Sequence, residues 1–332
     1  MKLLVLGGSK FLGRHIVESA LNRSHEVTLF NRGMTNSELF QDVERVVGDR
    51  NRDLAKLAAG KWDVVIDTCG YFPGQTAQAA QVLQNKVRRY CFISTVSVYE
   101  DFSQEYLDEN SAVAQLPIDQ DPDENRPETY GARKYLCEKT IEGAFRDRAL
   151  IIRPGLIVGP HDPSGRFTYW VDRAARGGEI LAPGDPSLQI QYIDARDLAV
   201  WIVTALENKI GGIYNAVGPA APMTMKGLID CCIQGVQSNG MPHWIDEEFL
   251  AQQKVLPWME LPVWVAKDSL GIHHVANERA LKAGLKFRSL EETVRDTWEW
   301  FKKEHPVYPD GVGLDAQKEK HLLKEWRQAP TC

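Results

Sequence analysis

Short apolar runs recur through the first half of the chain, separated by glycine turns and helical spacing. Lys2–Leu6 is one such run, followed by Gly7-Gly8-Ser9-Lys10-Phe11-Leu12-Gly13. Leu12, Ile16 and Ala20 then recur at i, i+4 and i+8, which predicts an amphipathic helix. Glu26–Phe30 predicts a second strand, Arg45–Val47 a short third, Asp63–Asp67 a fourth and Tyr90–Ser94 a fifth. A helix over Tyr130–Ala144 leads into a further apolar run, Leu150–Arg153. Strands spaced by helices predict an α/β fold with a doubly wound parallel sheet. Right-handed crossovers then place helices on both faces of that sheet.

The second half is more broken. Pro154-Gly155, Gly159-Pro160, Asp162-Pro163, Gly177-Gly178 and Pro183-Gly184-Asp185-Pro186 mark loops. Pro242–Pro262 holds Trp244 and Trp258 between prolines, and reads as an irregular lobe rather than a sheet layer. Ser289-Leu290-Glu291-Glu292 fits a capping box. The helix it opens sets Leu290, Val294, Trp298 and Phe301 on one face, as core packing would. Lys318–Trp326 reads as a charged, solvated helix. No internal repeat or low-complexity tract is present. The expected division is a dinucleotide-binding domain over 1–158 with a returning segment at about 190–218. A smaller, irregular substrate lobe then takes 159–189 and 219–332.

Composition narrows the class. The chain has 332 residues, 43% hydrophobic and 25% charged, with 39 Lys plus Arg against 45 Asp plus Glu. The net charge of −6 gives no reason to expect a broad basic face for nucleic acid. A mean hydropathy of −0.33 fits a water-soluble globule, and no apolar run approaches a membrane span. The apolar start is too short for a secretion leader and runs straight into glycines. Cys69, Cys91, Cys137, Cys231, Cys232 and Cys332 form no C-x-x-C pair, which argues against a zinc ribbon or redox motif. Reduced thiols in a cytoplasmic protein are expected. His273-His274 are adjacent and share no helix face, so no metal site is expected.

The glycine loop is the first candidate for chemistry. Glycines between a first strand and the helix after it let the backbone approach a pyrophosphate, and the helix N-terminus presents free N–H groups. The second strand ends in Phe30-Asn31-Arg32. Sites selective for NAD usually place a carboxylate there to accept from the ribose 2′-hydroxyl. An amide at Asn31, a guanidinium at Arg32 and the Lys10 cation instead suggest a 2′-phosphate, hence NADP, with NAD as the alternative.

Tyr130 and Lys134 lie at i and i+4 on one helix face. A phenol has a pKa near ~10. A nearby ammonium and a nicotinium charge would lower it, so that the phenol can exchange a proton with an alcohol oxygen while hydride moves at the same carbon. The hydroxyls Ser94, Thr95 and Ser97 close the fifth strand, where ligands of open α/β sheets sit. Thr95 is the expected holder of the substrate oxygen. In the lobe, Arg166 is a candidate partner for a diphosphate. Phe167, Tyr169 and Trp170 are candidates for ring stacking or lobe core, and Gln191 and Tyr192 are candidates to face the cleft.

With these stretches in view, the sequence resembles the extended short-chain dehydrogenase/reductase family, which includes NAD-dependent nucleotide-sugar epimerases and dehydratases. The likeness rests on Gly7–Gly13, Gly48-Asp49, Ile66–Gly70, Ser94–Tyr99, Tyr130–Lys134, Arg153–Gly159 and Tyr192–Ala199, in family order across about the first two-thirds of the chain. Asn277–Ala280 with Gly284-Leu285 adds a C-terminal match. The resemblance implies a Rossmann-type fold. It places Gly7, Gly8, Ser9, Lys10, Phe11, Leu12 and Gly13 around the pyrophosphate, with Asn31 and Arg32 at the adenosine ribose and Asp49 at the adenine. Thr68, Cys69, Gly70 and Ser94 would line the cofactor, and Pro154 and Ile157 the nicotinamide. Thr95, Tyr130 and Lys134 would be the catalytic set, with Tyr130 and Lys134 also touching the cofactor and Lys134 holding the nicotinamide ribose. Two departures stand out: Lys10 replaces the usual middle glycine, and Asn31 the usual acid. A loop of the form G-G-[ST]-[KR]-F-L-G with a following N-R-G is similar to a subgroup holding isoflavone-reductase-like bacterial proteins and chloroplast stem-loop-binding RNA proteins.

Three activities follow as expectations. The first is an NAD(P)-dependent reductase of a small-molecule carbonyl. The second is an epimerase or dehydratase acting on a nucleotide sugar with tightly held NAD. The third is an RNA-binding protein reusing the fold, against which stand the intact Thr95, Tyr130 and Lys134 and the acidic balance. The resemblance also implies a homodimer.

Overall fold

The computed structural model describes residues 1–328, so Cys332 and the end of the expected 219–332 segment lie outside the described residues. In chain order the first layer contains β1 (Lys2–Leu6), α1 (Phe11–Asn22), β2 (Glu26–Asn31), β3 (Glu44–Val47), β4 (Trp62–Asp67), α2 (Pro73–Leu83), β5 (Val87–Ile93), α3 (Tyr130–Phe145) and β6 (Ala149–Pro154). There follow β7 (Ile157–Val158), α4 (Arg166–Ala175), β8 (Glu179–Pro183), β9 (Gln189–Asp194), α5 (Ala195–Glu207), β10 (Gly212–Ala216), β11 (Gly218–Thr224) and α6 (Met225–Gly235). The chain closes with β12 (Met241–Ile245), α7 (Glu247–Gln252), α8 (Glu278–Lys282), α9 (Leu290–Glu304) and α10 (Ala316–Gln328).

The main sheet runs β10-β6-β5-β4-β1-β2-β3, and every pairing in it is parallel. This is the expected doubly wound, Rossmann-type α/β fold. Strand order reverses between β1 and β4, which opens a crevice beyond their carboxyl ends. The strands are apolar on both sides because both faces are covered. One face packs Leu3, Val5, Val64 and Ile66 against α1 and α5. The other packs Leu4, Leu6, Val65 and Phe92 against α2 and α3.

The lobe has its own core around Phe167, Tyr169, Trp170, Leu228 and Trp264. The Trp170 indole N–H donates to the Pro262 carbonyl at 2.7 Å, so a fully buried indole keeps a partner. Pro242–Pro262 differs from the expected irregular segment. Met241–Ile245 pairs in parallel with Glu179–Pro183, and α7 follows. Pro242 is tolerated because a two-stranded sheet leaves each strand a free edge, where a missing N–H costs nothing.

The start of α9 realises half of a capping box. The Ser289 hydroxyl accepts from the Glu292 N–H at 3.2 Å, while the Glu292 carboxylate turns to Arg288 at 3.0 Å instead of reaching back. Trp298 packs on the lobe core and stacks on Phe301 with ring centroids 5.8 Å apart. No helix among the described residues is long and apolar enough to cross a membrane.

Candidate active site

Two adjoining cavities, of about 330 and 380 Å³, open along the carboxyl ends of the main sheet and share Gly7, Ser9, Lys10, Cys69 and Tyr71. Asn31, Arg32 and Asp49 line the first. Gly8, Phe11, Leu12, Gly13, Thr68, Ser94, Thr95, Tyr130, Lys134, Pro154 and Ile157 line the second. Gly70 lines neither; its carbonyl instead accepts from the Lys134 ammonium at 2.7 Å.

The glycine bend is shaped for close approach. Gly7 has φ +104°, and a Cβ there would lie 2.4 Å from the Thr68 hydroxyl. A Cβ at Gly13 would lie 3.0 Å from the Gly8 nitrogen, so α1 packs directly on the bend. Lys10 caps α1 in extended backbone (φ −131°) with no side-chain cap. The family's middle glycine is therefore dispensable at this position, and the exposed lysine side chain leaves the bend clear. Phe11 takes up the turn instead, with φ +39°. Phe11 and Leu12 at the start of α1 line the cavity, and no side chain caps the helix there, as an anion site requires.

Asn31 and Asn36 stitch this bend to the segment after β2. The Asn31 carboxamide donates to the Gly7 carbonyl at 2.9 Å and accepts from the Gly33 N–H at 3.0 Å. Asn36 donates to the Ser9 carbonyl at 2.7 Å. Arg32 and Lys10 are exposed at the cavity rim, and neither is engaged in an ion pair among the described residues.

Below the first cavity lies a network the sequence reading missed. Asp67 is fully buried and paired with Arg50 through both carboxylate oxygens, at 2.9 and 3.1 Å. The Tyr90 hydroxyl donates to Asp67 at 2.8 Å, and the Cys69 N–H at 3.1 Å. Burial opposes ionisation of Asp67, but the Arg50 guanidinium and these donors outweigh it and hold the carboxyl below its usual range. Burial pushes the Cys69 thiol up to about 11, so it is not a poised nucleophile.

At the second cavity, α3 begins at Tyr130 and brings Lys134 one turn along. Gly131 lets this helix touch the segment after β5: a Cβ there would lie 1.9 Å from the Ser97 carbonyl. Thr95 accepts from the Ser97 N–H at 3.1 Å and donates to the Ser97 hydroxyl at 3.0 Å, which fixes its orientation. Lys134 is 3% exposed, and donates to the Gly70 and Ile93 carbonyls at 2.7 Å each. Burial lowers its pKa to about 8. Burial likewise pushes Tyr130 up to about 12, against a Thr95 hydrogen bond and the Arg133 charge, which both favour the phenolate. The chain alone thus does not produce the lowered phenol expected from the Tyr–Lys spacing; desolvation outweighs the Thr95 hydrogen bond and the Arg133 charge. The Ser94 hydroxyl is buried beside this cavity without a protein partner.

Behind α3, Glu138 and Arg153 form a buried two-point ion pair at 2.7 and 3.0 Å, fastening the helix to β6. In the lobe, Phe167, Tyr169, Trp170 and Tyr192 are core. Gln191 does not face the cleft freely, because its carboxamide is paired to both backbone groups of Val275 at 2.9 and 3.0 Å. Arg166 lies against Trp258, 5.4 Å from the ring centroid, and donates to its carbonyl at 3.3 Å. Both His273 nitrogens are occupied: Nδ1 accepts from the Gln191 N–H at 3.0 Å, so Nε2 donates to the Val263 carbonyl at 2.7 Å.

A family model described as the NAD dependent epimerase/dehydratase family matches residues 3–216. The chain is 25% identical to the chloroplast stem-loop binding protein of 41 kDa b of Arabidopsis thaliana, over 78% of this chain and 70% of that protein. It is 25% identical to the 2′-dehydrokanamycin reductase of Streptomyces kanamyceticus, over 76% of this chain and 72% of that one. Among solved structures, a UDP-glucuronic acid 4-epimerase from Bacillus cereus in complex with NAD aligns with a TM-score of 0.65 at 18% identity, covering 91% of this chain and 99% of that one. A UDP-glucose 4-epimerase from Thermotoga maritima aligns at 0.67 and 17%, with coverages of 91% and 99%. Identities this low speak for the fold.

Proposed function

The chain belongs to the NAD-dependent epimerase/dehydratase family, an enzyme group of the extended short-chain dehydrogenase/reductase type, and from that premise we propose that it is an NADP-dependent reductase of a small-molecule carbonyl. The observation that carries this reading is the end of β2. No carboxylate stands there, the Asn31 amide is engaged with backbone, and the unpaired Arg32 and Lys10 flank the first cavity. A cationic rim suits a 2′-phosphate, and a family-typical acid would repel one.

The cavities fit a dinucleotide on their own terms. A Cβ would fill the bend at Gly7, the α1 N–H groups lack a side-chain cap, and the Ser94 hydroxyl is a buried donor without a partner. Gly7–Gly13 and the start of α1 would hold the pyrophosphate, Arg32 and Lys10 the 2′-phosphate, and Asp49 the adenine edge. Thr68, Cys69 and Ser94 would line the middle of the cofactor, and Pro154 and Ile157 its far end. The bound dinucleotide supplies the hydride.

The remaining work belongs to this chain. An ammonium has three donors. Two on Lys134 are spent on Gly70 and Ile93, which leaves one that would hold a ribose hydroxyl. Thr95, whose oxygen accepts from the Ser97 N–H, would swing its one hydroxyl proton from the Ser97 hydroxyl to the substrate oxygen. Tyr130, protonated at neutral pH, donates to the same oxygen as it becomes an alkoxide.

A second reading, an epimerase acting on a nucleotide sugar with retained NAD, draws on the family match and on the sugar nucleotides named for the aligned structures. Mass analysis of the purified protein separates the two. Protein free of dinucleotide that then binds NADPH more tightly than NADH supports the reductase. Tightly retained NAD, returned unchanged after turnover, overturns it.

A further inference from the structure

Arg133 follows Tyr130 by three residues on α3, so the two side chains leave the helix on the same side. It is 2% exposed. One terminal nitrogen donates to the Arg126 carbonyl at 3.0 Å and to the Asn125 carboxamide oxygen at 3.4 Å. The other terminal nitrogen and Nε are buried without any partner. The guanidinium sits 4.8 Å from the centroid of the Phe72 ring, and no carboxylate among the described residues pairs with it. A buried cation without a counter-charge is expensive. The other two buried arginines among the described residues, Arg153 and Arg173, are each neutralised by a glutamate.

We propose that Arg133 is a positioning residue for the Tyr130 proton: its buried, uncompensated charge lies one helical turn from the phenol, on the same side of α3, and attracts the negative charge left as the proton departs. The inference rests on the role of Tyr130 given above. The groups facing Tyr130 make the assignment specific. Tyr71, from the β4–α2 connection, and Cys137 on α3 disfavour the phenolate, and the Thr95 hydroxyl favours it by a hydrogen bond. Lys134 is turned onto two carbonyls, with the Asp67–Arg50 pair behind it. Arg133 is the buried cation on the Tyr130 side of α3 that no carboxylate among the described residues neutralises.

The test needs no substrate. The dissociation constant of NADP⁺ is measured by fluorescence quenching from pH 7 to 11, with NADPH as the control. An oxidised nicotinamide ring is a cation, so its affinity steps up as the Tyr130 phenol ionises; the neutral reduced ring shows no such step. Tyr130→Phe identifies the step by removing it. Arg133→Met is expected to move the step up by about one pH unit, and Arg133→Lys to leave it near the wild-type position. Arg133→Gln serves in the same way should the methionine variant not fold. A step that stays in place in the neutral variants, or is absent from the wild type below pH 11, overturns the role of Arg133. Lys134, lowered to about 8 by burial, adds a step of its own that NADPH shares; a step seen with NADP⁺ alone that survives Tyr130→Phe overturns the reading of Tyr130 itself.

Discussion

The Asn31 carboxamide donates to the Gly7 carbonyl at 2.9 Å, fastening the end of β2 to the first residue of the glycine bend. Replacing Asn31 by Asp removes that donor and sets a carboxylate against a carbonyl oxygen. The loss should cost about 1–3 kcal/mol. We expect Asn31→Asp to melt lower and to bind NADPH more weakly. An unchanged melting temperature would show that the stitch contributes nothing.

Arg32 makes no ion pair within the described residues, so its removal should leave the fold untouched. A charge-assisted hydrogen bond contributes about 1.5–3 kcal/mol. Arg32→Ala should therefore weaken NADPH by roughly 10- to 100-fold and NADH little. Equal losses for both, by equilibrium titration, would count against the 2′-phosphate.

Gly131→Ala puts a methyl where the Ser97 carbonyl already lies, at 1.9 Å. Backbone must move on one side or the other, which separates Tyr130 from Thr95. Turnover should fall by at least about 100-fold, with a loss of stability of about 1–3 kcal/mol for the overpacking. Retention of full activity would mean that α3 can shift without harm to the site.

Tyr130→Phe keeps the ring and removes the proton. Turnover should fall below detection in a steady-state assay while dinucleotide affinity at pH 7 stays within about threefold, because the phenol is protonated and uncharged there. Normal turnover would assign the acid elsewhere.

Stability should rise between pH 4 and 6.5. Burial holds His273 down to about 4, from an ordinary 6.5. In that interval the unfolded chain binds the proton and the folded chain refuses it, so the fold gains as pH climbs. The shift corresponds to about 3 kcal/mol. His161, held down to about 4, adds in the same sense. Asp162, raised to about 6 by burial, opposes them, since its folded form keeps a proton the unfolded form releases. Thermal melts across this range should show the rise, and His273→Gln should flatten it. A variant with the wild-type slope would remove His273 as its cause.

Much of the first layer was legible because parallel strands buried on both faces are written as continuous apolar runs, each punctuated by the residues that now ring the cavities. Tyr130 and Lys134 were legible as a helical pair, and Asn31 as an anomaly at a strand end. Its actual partners, Gly7 and Gly33, were not, because only the folded turn brings the carboxamide over the bend. Arg50 and Asp67 escaped for a related reason: they lie 17 residues apart, and each reads as a surface charge until the sheet buries one beneath the other. Gln191 was misread in the opposite direction. A polar residue on a cleft-side strand looked free, yet its amide substitutes for a missing strand pairing with Val275. Pro242 concealed a strand because prolines are allowed at sheet edges, and edges cannot be seen in one dimension.

Carboxamides neither take up nor release protons over the range in which a cell operates. Because Asn31 and Asn36 close the glycine bend with such groups, the bend keeps its fastening while the surrounding medium acidifies or turns alkaline. Acid or base at the reacting end of the cleft can then act without loosening the turn that closes the other end.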